Sequence, residues 1–281
     1  MLPTADFFGT QLTRLMLGDN PFLGNTYVPE HITTGDLLDY YTANHVVEAM
    51  FEAEKNGMNA YMAIGEPFVL RCIRQYRQEG GKMHVLFQSY PSAELEGNLR
   101  SMLAYEPLAI YHQGSTLDYW MEIGEVELVK SRLKLIRDTG VKTGLGTHSP
   151  LIVRQAEEEG WDIDFYMACL YNIRRQKRGQ KSGFVTGKPK TEPIYFPEDP
   201  PLMMEEIRTT SKPVVAFKLL AGAQRIIELP PAQRPAEIER AFAQAYAGIK
   251  PGDFACIGVH QGQHNQIKEN CEIAARVLAA Q

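Results

Sequence analysis

The chain has 281 residues, 44% hydrophobic and 22% charged, with a net charge of −5 at neutral pH. That length holds one large or two smaller globular domains with a substantial core. The acidic balance gives no footprint for nucleic acid, and no apolar run approaches the roughly 20 residues of a membrane helix, so neither partner is expected.

The N-terminal stretch MLPTADFFGTQLTR has no basic segment followed by an apolar one, so no secretory signal is expected. Cys72, Cys169, Cys256 and Cys271 are scattered and form no C-x-x-C pair. They read as small core residues in a reducing, cytoplasmic setting.

In chain order, short apolar runs alternate with helical patterns. The expected strands are 14–20 (RLMLGDN), 59–65 (NAYMAIG), 82–88 (KMHVLFQ) and 108–113 (LAIYHQ). Four more follow at 142–148 (KTGLGTH), 163–172 (IDFYMACLYN), 212–220 (KPVVAFKLL) and 254–261 (FACIGVHQ). Segments 45–57 and 126–140 carry apolar residues at helical spacing and end on Gly57 and Gly140. Near-continuous apolar strands separated by helices imply a parallel sheet covered on both faces. Eight such units predict an α/β fold, a single (β/α)8 TIM barrel spanning 1–281. An open doubly wound sheet is the alternative, but LGDNPFLGN does not supply its Gly-rich turn.

Two connections exceed what the scaffold needs, 21–44 after the first strand and 173–211 after the sixth. The second holds seven Lys or Arg between Arg174 and Lys190. It reads either as a solvated loop or as a basic lid over an anionic ligand, with Arg174 and Arg175 at its start.

In a barrel, the polar residues that end each strand face one mouth. They are Asp19, Asn20, Glu66, Gln88, His112, His148, Asn172, Lys218, His260 and Gln261. His112 and His148, on neighbouring strands, are candidates for an acid–base pair. With Glu66 they are alternatively three ligands of a divalent metal. Lys218, set among apolar neighbours, is a candidate base, Schiff-base nucleophile or electrostatic clamp. Gly222, Gly258 and Gly262 sit in turns ahead of the last helices, where barrels often bind phosphate through backbone N–H groups.

Several segments resemble the aldo-keto reductases. LAIYHQG resembles their fourth strand with its histidine, KTGLGTHS their fifth, DFYMACLYN their sixth, and QIKENCEIA their closing cofactor-side helix with its Glu-Asn pair. The resemblance implies a TIM barrel, NADPH as cofactor and carbonyl reduction, and it carries a catalytic role over to His112. The family's remaining catalytic residues do not carry over. Strand two, NAYMAIGEPF, has no matching Asp or downstream Tyr, and Gln88 stands where the Lys is expected. The fifth-strand Asn and sixth-strand Gln that hold the nicotinamide are not evident either. GTHSP and VVAFKLLAG are closest to a divergent branch of that superfamily.

Three readings follow. The first is a barrel enzyme acting on a small polar molecule, sugar-like or anionic, by His112/His148 acid–base chemistry of the lyase or isomerase type. The second is an NADPH-dependent oxidoreductase with a rebuilt proton donor. The third is a non-catalytic ligand-binding barrel. Each takes a small-molecule ligand, and a homo-oligomer is compatible with all three.

Overall fold

The computed structural model describes residues 1–173 and 195–281 of the chain. It opens with an antiparallel hairpin, β1 (Thr4–Phe7) and β2 (Thr10–Thr13). Phe8 and Gly9 turn it with φ of 52° and 89°, the paired left-handed conformation that suits a two-residue hairpin loop.

Eight parallel strands then close a barrel: β3 (Leu15–Gly18), β4 (Ala60–Ile64), β5 (His84–Gln88), β6 (Ala109–His112), β7 (Lys142–Thr147), β8 (Phe165–Cys169), β9 (Val214–Phe217) and β10 (Phe254–Gly258). β10 pairs back onto β3, so no edge is left open. Each expected strand is present, one to three residues shorter at one or both ends.

Around the barrel lie α1 (Thr34–Tyr40), α2 (Ala43–Lys55), α3 (Pro67–Gln78), α4 (Leu95–Leu103) and α5 (Gly114–Glu122). They are followed by α6 (Val126–Arg137), α7 (Pro150–Glu158), α8 (Asp199–Thr209), α9 (Arg234–Gly248) and α10 (Gln266–Ala279). The connection after β3 contains α1, which opens on a capping box between Thr33 and Asp36. Of the connection after β8, residues 174–194 lie outside the described residues, and with them Arg174, Arg175 and the expected basic lid.

Alternation along each strand sorts side chains into two cores. Met16, Met62, Leu86, Tyr111 and Met167 fill the barrel interior, while Leu17, Phe87, Ile110, Leu145 and Ala168 pack outward against the helices. The N-terminal hairpin, which the alternation of strands and helices did not predict, closes the bottom. Phe7 enters the interior with its ring 5.4 Å from Phe165 and 5.7 Å from Phe254. The opposite, C-terminal end therefore stays open for a site.

Candidate functional site

A cavity of about 590 Å³ opens at the C-terminal mouth, within the usual range for a small-molecule site. It reaches from an inner end, where Asp19, Met62, Gln88, Tyr111 and Cys256 meet, past Lys218 and Gly222 to Glu269 and Asn270 on α10.

At the inner end, Asp19 follows directly on β3 and is 7% exposed. One carboxylate oxygen accepts a 2.6 Å hydrogen bond from the Ile64 N–H. Burial pushes its pKa up from 3.8 to about 7; the Ile64 hydrogen bond and the Tyr61 phenol oppose this, and the Glu66 charge adds a little to the rise. Opposite, the Tyr111 hydroxyl donates to Gln88 Oε1 at 3.0 Å.

The next wall section is backbone held in a sparsely populated conformation. Lys218 ends the β9 run with a φ of 62°, and Ala221, Gly222 and Ala223 follow at 52°, 59° and 77°. Left-handed backbone at non-glycine residues is strained, and such strain concentrates at functional walls. A Cβ on Gly222 would come within 2.7 Å of the Tyr27 side chain, so glycine serves both φ and close approach there. Lys218 Nζ sits 4.2 Å from the Tyr27 ring centroid, 5.4 Å from Tyr195 and 5.8 Å from Phe217, a cation among aromatic faces. No carboxylate among the described residues pairs with it. Gln224 donates to the Tyr27 carbonyl at 3.1 Å, and His31 meets Glu228 at 2.6 Å. The connection after β3 is thereby tied to the one after β9 across the cavity.

At the outer end, three buried polar atoms lack a partner among the described residues: Asn25 Nδ2, His260 Nδ1 and Asn270 Oδ1. All three residues line the cavity. The His260 ring sits between those of Tyr40 and Tyr41, at 5.6 and 6.2 Å, and burial lowers its pKa.

The expected residues divide between this cavity and other places. Asp19, Asn20, Gln88, Lys218, His260, Gly222 and Gly258 line it. Gln261 caps instead, receiving the Ile267 N–H at its Oε1 and donating its own N–H to Tyr41. Gly262 lies beside His260, where a Cβ would meet Nε2 at 2.8 Å. The Asn172 N–H donates to Asp199, and Asn172 is not part of the cavity wall. Glu66 caps α3, its carboxylate accepting from Phe68 N at 2.6 Å and Val69 N at 3.2 Å. With Pro67 as the first helical residue, Glu66 is committed to the helix start.

His112 is the main correction. Tyr111 points into the barrel, so His112, one residue on, points out toward the helices. There its Nε2 accepts from Arg132 Nε at 3.0 Å, and its ring lies 5.5 Å from Trp120. Burial first, and the Arg132 charge second, lower its pKa to about 3. It is thus a neutral acceptor in a helix-layer contact and does not meet His148. His148 donates through Nδ1 to Asp118 of α5 at 2.8 Å, and Asp118 also accepts from Thr147 Oγ1 at 2.5 Å. The His148 ring packs 5.4 Å from Phe217. His112, His148 and Glu66 therefore do not converge as metal ligands, and among the described residues no cluster of three His, Cys, Asp or Glu is placed to hold a metal.

The structure adds residues that the strand-end inventory did not reach. Tyr111 was hidden inside an apolar run, and Asn25 and Tyr27 sit in a connection with no periodicity to place them. Asp118 lies mid-helix without a motif. Asn270 was visible only as half of the Glu-Asn pair.

No family profile and no curated protein matches the sequence. Among solved structures, an aldo-keto reductase from Bacillus halodurans aligns at a TM-score of 0.59 and 12% identity, covering 100% of this chain and 96% of that one. An aldo/keto reductase from Brucella melitensis aligns at 0.53 and 11%, covering 100% and 98%. A dihydropteroate synthase from Yersinia pestis aligns at 0.55 and 10%, covering 100% and 99%. At these identities the likeness concerns the fold alone, a TIM barrel that the reductases share with the synthase.

Proposed function

We propose that the protein is an enzyme that binds a polar, nucleotide-sized ligand in the mouth cavity and acts on a small polar molecule at its inner end. One observation carries this reading: Asn25, His260 and Asn270, each with a buried and unpartnered polar atom, all line that one cavity. Buried polar groups in native proteins are normally satisfied, so three that line one cavity point to a polar ligand that completes them.

Within that class, a nicotinamide dinucleotide is the ligand that the sequence resemblance implies; the Asn and Gln that hold its amide in that family are not evident here, and the cavity offers other polar groups along its length. Asn270 and His260 offer hydrogen-bonding atoms at the outer end, and the Lys218 side chain and left-handed turn supply a cation and backbone N–H groups midway. When bound, such a cofactor supplies hydride-transfer chemistry. The chain's own part is to hold the ligand along β9, β10 and α10, to shield the inner end with Tyr111, Met62 and Cys256, and to position a polar substrate with Gln88.

The test is an NADPH titration followed by fluorescence and thermal melting. At a hundredfold excess over a micromolar Kd, binding adds about 2.7 kcal/mol, a melting rise of roughly 5 °C for a chain of this size. Asn270→Ala should weaken binding about tenfold, the worth of one hydrogen bond in a desolvated site. No binding at millimolar NADPH would end the dinucleotide reading.

A cofactor-free reading is favoured by one contact. The Asp118 carboxylate lies 2.8 Å from His148 Nδ1, the carboxylate–imidazole contact that orients a histidine for acid–base work. Under it, His148→Gln would abolish turnover of a polar substrate while leaving NADPH without effect.

A further inference from the structure

We propose that Asp19 is the acid–base residue of the mouth site, a carboxylic acid reachable from the cavity that exchanges a proton with an oxygen atom of the bound molecule. The inference rests on the cavity being the site and does not depend on which ligand fills it.

Geometry carries it. Asp19 follows β3 and contributes to the cavity wall beside Met62, Tyr111 and Cys256 of the barrel interior. Its Oδ2 is anchored on the Ile64 N–H at the end of β4, so the side chain is fixed by the barrel. No Lys, Arg or His among the described residues forms an ion pair with it. The titratable and charged groups facing it are Tyr61 and Glu66 from the β4 side, Tyr111 from β6 and Cys256 from β10. Lys218 lies farther along the same cavity after β9. Glu66 brings a like charge. Burial drives the phenols of Tyr61 and Tyr111 and the thiol of Cys256 upward, so each keeps its proton at neutral pH. Among these inner-end groups, Asp19 is the one whose burial brings it to about 7, where it can lose and regain a proton.

Acting as an acid, Asp19 breaks its own O–H bond as an O–H bond forms on the ligand oxygen. The carboxylate that remains is still held by the Ile64 N–H. The reverse transfer makes it a base, and no further reactant enters the balance. A carboxyl kept protonated by an apolar pocket is a known means of obtaining a proton donor at neutral pH. Here the pocket is made by Met62, Tyr111 and Cys256 of the barrel interior.

A small neutral diazoacetamide tests this directly on the full chain. It esterifies a carboxylic acid with loss of N₂ and leaves carboxylates alone. After brief treatment, peptide mass mapping compares Asp19 with the surface Asp and Glu residues across pH 5–9. Asp19 should be modified at least tenfold more than exposed carboxylates at pH 7, with the yield halving near pH 7 and vanishing by pH 9. A γ-¹³C-aspartate NMR titration gives the second readout. The resonance missing in Asp19→Asn should shift with a midpoint near 7. An unmodified Asp19 at pH 6, or a midpoint below 5, overturns the proposal. Modification of Asp19 in a protein that ignores NADPH supports the proposal and counts only against the dinucleotide reading.

Discussion

Two buried ionisable side chains set opposite pH dependences on stability. His112 is neutral in the fold, with its pKa lowered from 6.5 to about 3 by burial and by Arg132. The unfolded chain therefore takes up a proton near 6.5 that the folded chain refuses until about 3. The contribution is complete above 6.5 and drains away as pH falls through that window. His112→Gln should flatten the fall in unfolding free energy between pH 6 and pH 4 measured by urea denaturation. At pH 7 the same change should cost about 1–3 kcal/mol, by disturbing the partner of the half-buried Arg132. Asp19 works the other way. Its folded pKa, about 7, lies above the ordinary 3.8, so the folded state holds the extra proton and stability falls as pH rises from about 4 to 7. Asp19→Asn removes that dependence. Relative to wild type, the variant should gain about 3 kcal/mol between pH 5 and pH 8. A constant difference across that range would contradict a protonated Asp19.

At the scale of elements, the start of α5 is pressed onto β7 through glycines. A Cβ on Gly146 would lie 2.6 Å from the His112 carbonyl oxygen, and one on Gly114 would lie 3.0 Å from the backbone of Gly146 and Thr147. Backbone cannot yield as a flexible side chain can, so Gly146→Ala should destabilise by about 2–4 kcal/mol, while Gly124→Ala, with nothing within 4 Å but a φ of 85°, should show only the smaller penalty of a left-handed turn, about 1 kcal/mol. Thermal melts of the two variants separate the effects. The same closeness lets Asp118 of α5 reach His148 beyond β7.

The succession of eight strands was legible because parallel strands buried on both faces are near-continuously apolar and the helices between them keep their own period. Which way each strand-end residue points was not legible. In LAIYHQ both faces are buried, so nothing in the pattern says that Tyr111 enters the barrel and His112 leaves it, and a shift of one residue exchanges their roles. The Glu66-Pro67 pair could have been read as a helix start rather than a catalytic carboxylate. The hairpin at 4–13 was missed because its strands are short and its one signal, Phe8-Gly9, is weak by itself. Asn25 and Tyr27 reach the cavity only through the tertiary course of a connection, which local sequence does not encode.

For the whole molecule, the hairpin closes the bottom of the barrel and two tied connections narrow its top, leaving a cavity lined by Asp19 and by Asn25, His260 and Asn270, each with a buried polar atom unpartnered among the described residues. The most direct measurement is calorimetric titration of NADPH into wild type, Asn270→Ala and His112→Gln, side by side at pH 7. Wild type should bind with micromolar affinity, Asn270→Ala about tenfold more weakly, and a folded His112→Gln within twofold of wild type. Loss of affinity in His112→Gln with Asn270→Ala unaffected, or no heat of binding in any of the three, would contradict this.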